Sequence, residues 1–247
     1  MKTFYQTDPG KVRSHNEDSV NIVKNMNNEY IVVVADGMGC HKAGEVASSL
    51  AVNELAKRFA ELSSVGTKEE AVIWLIEIIV VINVKILKYA EEHVDATGLG
   101  TTCVCSIITD DFLLFGNVGD SSGYVQKNGK LYKVTRDHTL VNILLENGEL
   151  TESAAKTHPQ KNVLMKALGA SEEIEMDIFD VEKTLDGVLL CSDGLTNMVS
   201  VEQMEKILGD NELDLEEQVV KLIRKSNARG GTDNISVAYL NCESGEE

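Results

Sequence analysis

Four stretches of this 247-residue chain carry a glycine-bracketed aspartate at or near the end of an apolar run. They are "VVVADGMG" with Asp36, "LFGNVGDSSG" with Asp120, "VLLCSDGL" with Asp193 and "GGTDNISV" with Asp233, and "RSHNEDS" near the start adds Arg13, Glu17 and Asp18. A single Asp-Gly at a strand end is ordinary turn chemistry. Recurrence is the constraint: a fold that brings several such ends to one sheet edge crowds like charges, which is costly unless a cation neutralises them. Hard oxygen donors without a His or Cys cluster select Mg²⁺ or Mn²⁺ over zinc. Glycine beside the aspartate leaves its carbonyl free to approach the ion. The residues alone therefore point to an all-aspartate two-metal hydrolytic site with a metal-bound hydroxide as nucleophile.

The rest of the chain suits such a frame. With 43% hydrophobic and 26% charged residues and only two prolines, it reads as one folded domain over residues 1–247. The net charge of −17 argues against nucleic acid and anionic membrane as partners. Cys40, Cys103, Cys105, Cys191 and Cys242 form no CxxC pair and read as reduced thiols of a cytoplasmic protein. The N-terminus turns polar at once, unlike a signal peptide. Residues 71–87, "AVIWLIEIIVVINVKIL", are interrupted by Glu77, Asn83 and Lys85 and read as a core helix rather than a membrane span.

Val32 to Ala35 reads as a strand covered on both faces. A helix is expected from Glu45, with Val46, Leu50, Leu55 and Phe59 on its buried face, and a second from Lys68 to His93. Short strand-like runs follow Gly98, with a hairpin at Asn128-Gly129. A helix stopped by Gly148 and a short one begun at Thr151 come next, then a strand at "GVLLCSDG", helices at 201–208 and 215–226, and a last strand at "NISVAYLN". Helix pairs separated by antiparallel strand blocks make an α+β sandwich.

The ordered set "VRSHNEDS", "ADGMGCHKAGEVAS", "GTT", "NVGDSSGYV", "TRDHTLV", "HPQKNVLMKALG", "CSDGL" and "GGTDNISV" resembles the motifs of the metal-dependent (type 2C) serine/threonine protein phosphatases in their compact bacterial form, from about Thr7 to Ala238. The resemblance implies a four-layer α-β-β-α sandwich, with two central antiparallel sheets covered by helices and the metals in a cleft at one edge. It implies that Asp36 bridges two metals, that Gly37 lends a carbonyl, that Asp193 and Asp233 hold the other ion, that Asp18 holds metal-bound water, and that Asp120 with Asp193 takes a third, weaker ion. Arg13 matches the arginine that grips the substrate phosphate. His41 is the candidate proton donor to the leaving alkoxide or a substrate contact. The segment from about Asn147 to Asn162 matches the flap beside the cleft; His158, Pro159 and His138 read as structural.

The implied activity is hydrolysis of phosphoserine and phosphothreonine with Mn²⁺ or Mg²⁺, opposing a bacterial serine/threonine kinase, by a monomer acting on phosphorylated proteins. Two departures stand out: Cys40 where relatives carry a second glycine, and Ser122 where they carry an arginine beside the third-metal aspartate. A catalytically idle phosphoprotein-binding module of the same fold is the alternative, although such proteins usually lose a metal aspartate and here all are present. A two-metal nuclease has the acids but lacks a basic track.

Overall fold

The computed structural model describes residues 1–39, 43–96, 98–155, 157–183 and 185–242. Eleven strands are described: β1 (Lys2–Asp8), β2 (Asp18–Lys24), β3 (Tyr30–Met38), β4 (Gly100–Thr101), β5 (Cys103–Ile108), β6 (Leu113–Val118), β7 (Ser122–Lys127), β8 (Lys130–Lys133), β9 (Asp177–Val181), β10 (Gly187–Cys191) and β11 (Ile235–Asn241). The helices are α1 (Ala43–Glu61), α2 (Lys68–Glu92), α3 (Leu140–Glu146), α4 (Glu152–Ala155), α5 (Asp193–Thr196), α6 (Val201–Leu208) and α7 (Leu215–Ala228).

One sheet runs β1-β11-β10-β7-β8, and the other β2-β3-β5-β6-β9 with β4 on β3; every pairing is antiparallel. The period of two in β3 divides its side chains between two cores. Ile31, Val33 and Ala35 pack under α1 and α2, while Val32 and Val34 meet Val188, Leu190 and Ala238 of the other sheet. The outer face of that second sheet, including Leu189, Val237 and Tyr239, is covered by Leu195, Met204, Val219 and Leu222 from α5, α6 and α7. These layers are the expected α-β-β-α sandwich.

Helix α1 buries Ala47, Ala51, Val52, Leu55 and Phe59. The expected stripe is shifted by one residue at its start: Val46 and Leu50 are only half-buried, and the small Ala47 and Ala51 take the sheet side. Small residues there let the helix axis come close to β3. The approach is closest at its first turn, where a Cβ on Gly37 would stand 2.1 Å from the carbonyl oxygen of Gly44. Two facing glycines thus seat α1 on the strand end that carries Asp36. Phe59 is fully buried, and truncating such a ring to alanine costs about 3–5 kcal/mol.

Helix α2 starts at a capping box in which Thr67 and Glu70 satisfy each other's backbone N–H groups. Asn83, which breaks the apolar run in sequence, is fully buried and satisfied: its Nδ2 donates to the carbonyls of Ser171 (2.8 Å) and Glu172, and its Oδ1 accepts from Gly169 N at 2.7 Å. It holds the segment returning from the flap, which is tied to the sheet edge by bridges Thr101–Leu168 and Thr139–Leu164. The β7–β8 turn has Asn128 and Gly129 at φ 53° and 72°, as the hairpin signal requires. No helix among the described residues is long and apolar enough to cross a membrane.

Candidate active site

Both sheets deliver acids to the same edge. Asp36 lies near the C-terminal end of β3, and Asp18 opens β2 directly opposite it in register. Strand β10 runs out through Ser192 into α5, whose first residue is Asp193, and Asp233 precedes the neighbouring β11 after Gly230 and Gly231, both at positive φ. Asp120 sits in the turn from β6 to β7, where Ser122 pairs with Cys191. Arg13, Asp36, Gly37, Asp120, Asp193 and Asp233 line one cleft of about 350 Å³, joined on the flap side by Asn162 and Leu164. Asp18 stands behind that wall, 6% exposed.

The electrostatics follow from burial among like charges. Burial pushes Asp18 up to about 7, with the nearby Asp193 and Asp233 adding to the rise and hydrogen bonds from Ser192 and Ser236 opposing it. Burial, then Asp18 and Asp193, holds Asp36 well above the usual carboxylate range. Asp120 is raised to about 7 by burial and by Asp193 and Asp137. Asp193 is raised to about 6 by burial and Asp233, against hydrogen bonds from Asn197 and with Asp36. Burial also raises Glu17. Three carboxyls that resist ionisation in one cleft, with a fourth behind its wall, mark a functional site where a cation would relieve the crowding.

The donor set fits hard divalent ions. The donors are all oxygen, and the buried Oδ1 atoms of Asp18 and Asp193 have no hydrogen-bond partner. Among the described residues no group of three or more Asp, Glu, His or Cys side chains is placed to hold a metal ion together. Asp18 stands opposite Asp36 in the β2–β3 register, and Asp36 is hydrogen-bonded to Asp193. Mg²⁺ asks for no more, since it keeps several waters and takes only one or two carboxylates.

The comparisons with known proteins decide the family. The protein phosphatase 2C family model matches residues 10–234. The chain belongs to the protein phosphatase 2C family. It is 44% identical over 241 residues to the serine/threonine phosphatase stp of Listeria monocytogenes, covering 97% of this chain and 95% of that protein. It is 35% identical to protein phosphatase PhpP of Streptococcus pneumoniae, covering 97% of each. The serine/threonine phosphatase Stp1 of Staphylococcus aureus superposes with a TM-score of 0.91 at 34% identity, covering 98% of this chain and 95% of that one.

Within this phosphatase 2C chain, seven of the eight expected site residues meet at the sheet edge: Arg13, Asp18, Asp36, Gly37, Asp120, Asp193 and Asp233. His41 and the unusual Cys40 lie outside the described residues. Arg13 projects half-exposed into the cleft, and its Nη2 donates to Asp233 Oδ2 at 2.8 Å. Ser122 is buried, and Lys133 slightly opposes the rise at Asp120.

Sequence reasoning missed the residues that hold the acids in place. Ser192 Oγ donates to Asp18 Oδ2 at 2.7 Å and accepts Ser236 N at 2.9 Å. Thr102 Oγ1 accepts Asp36 N at 2.9 Å and meets Ser121 Oγ at 2.8 Å, tying the strand end of Asp36 to the turn of Asp120. Asn234 donates to the carbonyls of Pro9 and His15 and accepts Glu17 N, fixing the loop that carries Arg13. His138, read as packing, does more than fill space. Its Nδ1 accepts Gly119 N, its backbone N–H donates to Gly119 O, and its Nε2 lies 3.1 Å from Asp177. Gly119 is at φ 105°, so His138 clamps the turn leading into Asp120. The only sequence signal for Ser192 and Asn234 was adjacency to a site aspartate.

Proposed function

We propose that this chain hydrolyses phosphoserine and phosphothreonine in proteins, with Mn²⁺ or Mg²⁺ as cofactor. The named activity of relatives 35–44% identical over nearly the whole chain supports the reaction class. The observation that carries the reading is the cleft itself, where Asp36, Asp120 and Asp193, held above their ordinary range, line the same wall as one half-exposed guanidinium, with Asp18 raised behind them.

Asp36, Asp193 and Asp233, with the Gly37 carbonyl, would hold two ions, Asp120 with Asp193 a third and weaker one, and Asp18 would orient water from behind. When bound, the ions supply Lewis acidity at the phosphoryl oxygens and activation of the attacking water. Arg13 binds the substrate phosphate through its planar fork, exchanging its ion pair with Asp233 for phosphoryl oxygens. Its side chain is 53% exposed, so that exchange requires no unpacking. The hydrogen bond from Ser192 holds the Asp18 carboxyl, and the bond from Asp36 N to Thr102 Oγ1 fixes the backbone that carries Asp36, as substrate enters. His41 is the proposed donor to the leaving alkoxide or a substrate contact.

The antagonist implied by this chemistry is a serine/threonine kinase. The unpaired thiols Cys103, Cys105 and Cys191, all buried, suit the reducing cytoplasm. The test is phosphate release from a phosphothreonine peptide by metal-stripped protein, with and without Mn²⁺, beside Asp36→Asn and Asp193→Asn. Metal-dependent turnover lost in both variants supports the reading. No turnover by the wild-type chain with metal on several phosphopeptides moves the idle binding module ahead.

A further inference from the structure

A second cavity, of about 640 Å³, opens at the far end of the β1-β11-β10-β7-β8 sheet from the acidic cleft. Strand β11 leads from the cleft, just after Asp233, to Asn241 on the cavity wall, and its seven residues span roughly 20 Å. The cavity is therefore no part of the phosphate site. The outer face of the sheet forms its floor, and the loop from α6 to α7 forms one wall.

Two nearly buried glutamines line it, each with a polar group left unused. Gln126, 5% exposed, accepts a hydrogen bond from the Tyr239 hydroxyl through Oε1, and among the described residues its amide nitrogen donates to nothing. Gln218, 8% exposed, donates through Nε2 to the carbonyls of Leu208 at 3.1 Å and Asp210 at 3.3 Å, and among the described residues its Oε1 accepts nothing. Polar groups this deeply buried are normally paired. Each amide is thus fixed at one end and open at the other, one offering N–H donors and the other a carbonyl acceptor. Gly187 stands between Gln126 and Asn241 in register and keeps the floor flat, since a Cβ there would lie 3.1 Å from the Tyr239 hydroxyl.

The remaining lining narrows the ligand further. Phe4, Leu213 and Leu215 supply an apolar wall, while Asp186, Asp214 and Glu216 outnumber Lys2 and disfavour an anion. We propose that this cavity binds a small, uncharged cyclic amide, whose C=O accepts from the Gln126 amide nitrogen and whose neighbouring N–H donates to Gln218 Oε1, with its flat body against the apolar wall. The edge of a free pyrimidine base has this chemistry, whereas the phosphates of nucleotides and nucleic acids meet the three acids. The site makes no use of the metal cleft, and its occupancy is independent of the phosphatase reading.

Saturation-transfer and side-chain amide NMR of the metal-free full chain, titrated with uracil, tests it. Uracil is expected to bind with a Kd of about 1 mM, the range for so small a ligand, and to shift the side-chain amide signals of Gln126 and Gln218. 1,3-Dimethyluracil, which lacks the N–H, and the anion orotate should each bind at least about tenfold more weakly. Asn211→Trp, an exposed loop position on the wall, should close the cavity to uracil with an unchanged circular dichroism spectrum. Gln126→Glu at pH 8 keeps an acceptor for Tyr239 and should also lose uracil, because the donors are gone. No saturation transfer to uracil, with both amide signals unmoved, overturns the proposal and leaves the cavity to water. Dimethyluracil or orotate binding as well as uracil, or uracil binding undiminished in either variant, overturns it equally.

Discussion

Asp18 and Asp36 face each other across the β2–β3 ladder, two carboxyls where antiparallel strands normally oppose unlike or apolar side chains. The arrangement makes the metal-free protein sensitive to pH in a definite direction. Asp18 and Asp120 are raised to about 7 and Asp193 to about 6, against about 3.9 in the unfolded chain. Between those values the folded state binds protons that the unfolded state has released, so stability falls as pH rises from about 4 to 7. Thermal melts in chelator should show higher stability near pH 5 than near pH 8, and Mn²⁺ should remove most of the difference. Asp18→Asn should stabilise the chelated protein at the higher pH and blunt the response to Mn²⁺. Metal-free stability that climbs from pH 5 to 8 would contradict the crowding argument.

Arg13 is bonded to Asp233 while lining the same cleft. Replacing it with alanine should lower kcat/KM for a phosphopeptide about a hundredfold, the order expected for a charge-assisted fork on a phosphoryl group. Arg13→Lys should recover only part of that, since a point charge lacks the fork. Unfolding in urea should barely change in either variant, the ion pair being exposed. Equal activity of wild type and Arg13→Ala would remove the phosphate role.

Asn234 bonds Pro9, His15 and Glu17 at once. Asn234→Ala removes the partner of part-buried backbone groups of Pro9, His15 and Glu17 and should cost about 1–2 kcal/mol in urea titrations. It should also raise KM more than it lowers kcat, because the loop it fixes carries Arg13. A variant with wild-type KM would show that the loop holds its shape without this side chain.

Glu29 is 5% exposed, yet its carboxylate accepts from Asn25, Asn27, Ser64 and the backbone of Val65, joining the β2–β3 hairpin to the start of α2. Burial pushes its pKa up, but those bonds together bring it below the ordinary value. Its contribution is therefore present above about pH 4.3 and disappears as pH falls through the lowered folded value. Glu29→Ala should cost about 3 kcal/mol at pH 7 and much less in strong acid. Equal losses at both pH values would mean that packing, not the charged acceptor, is what matters.

What could be read without a structure was what neighbours in sequence decide. The helical period of residues 68–93, the Asn128-Gly129 turn and the glycine stop at 148 each depend on a few adjacent residues, and the folded chain keeps them. The recurring glycine-bracketed aspartates were legible for the same reason. Strands β1, β2 and β9 were not: β1 lies at a sheet edge with alternate residues exposed, and β2 and β9 bury their faces only partly, so none carries a strong apolar pattern. Tertiary structure alone set Asp18 opposite Asp36, brought Ser192 to Asp18 across 174 positions and Asn234 to the Arg13 loop across more than 200. It also moved the α1 stripe onto Ala47 and Ala51, and left four apolar residues of α2 facing outward. Local conformation is set by torsional and turn preferences of adjacent residues, whereas register, close approach and burial depend on surfaces that meet only after the two sheets have packed.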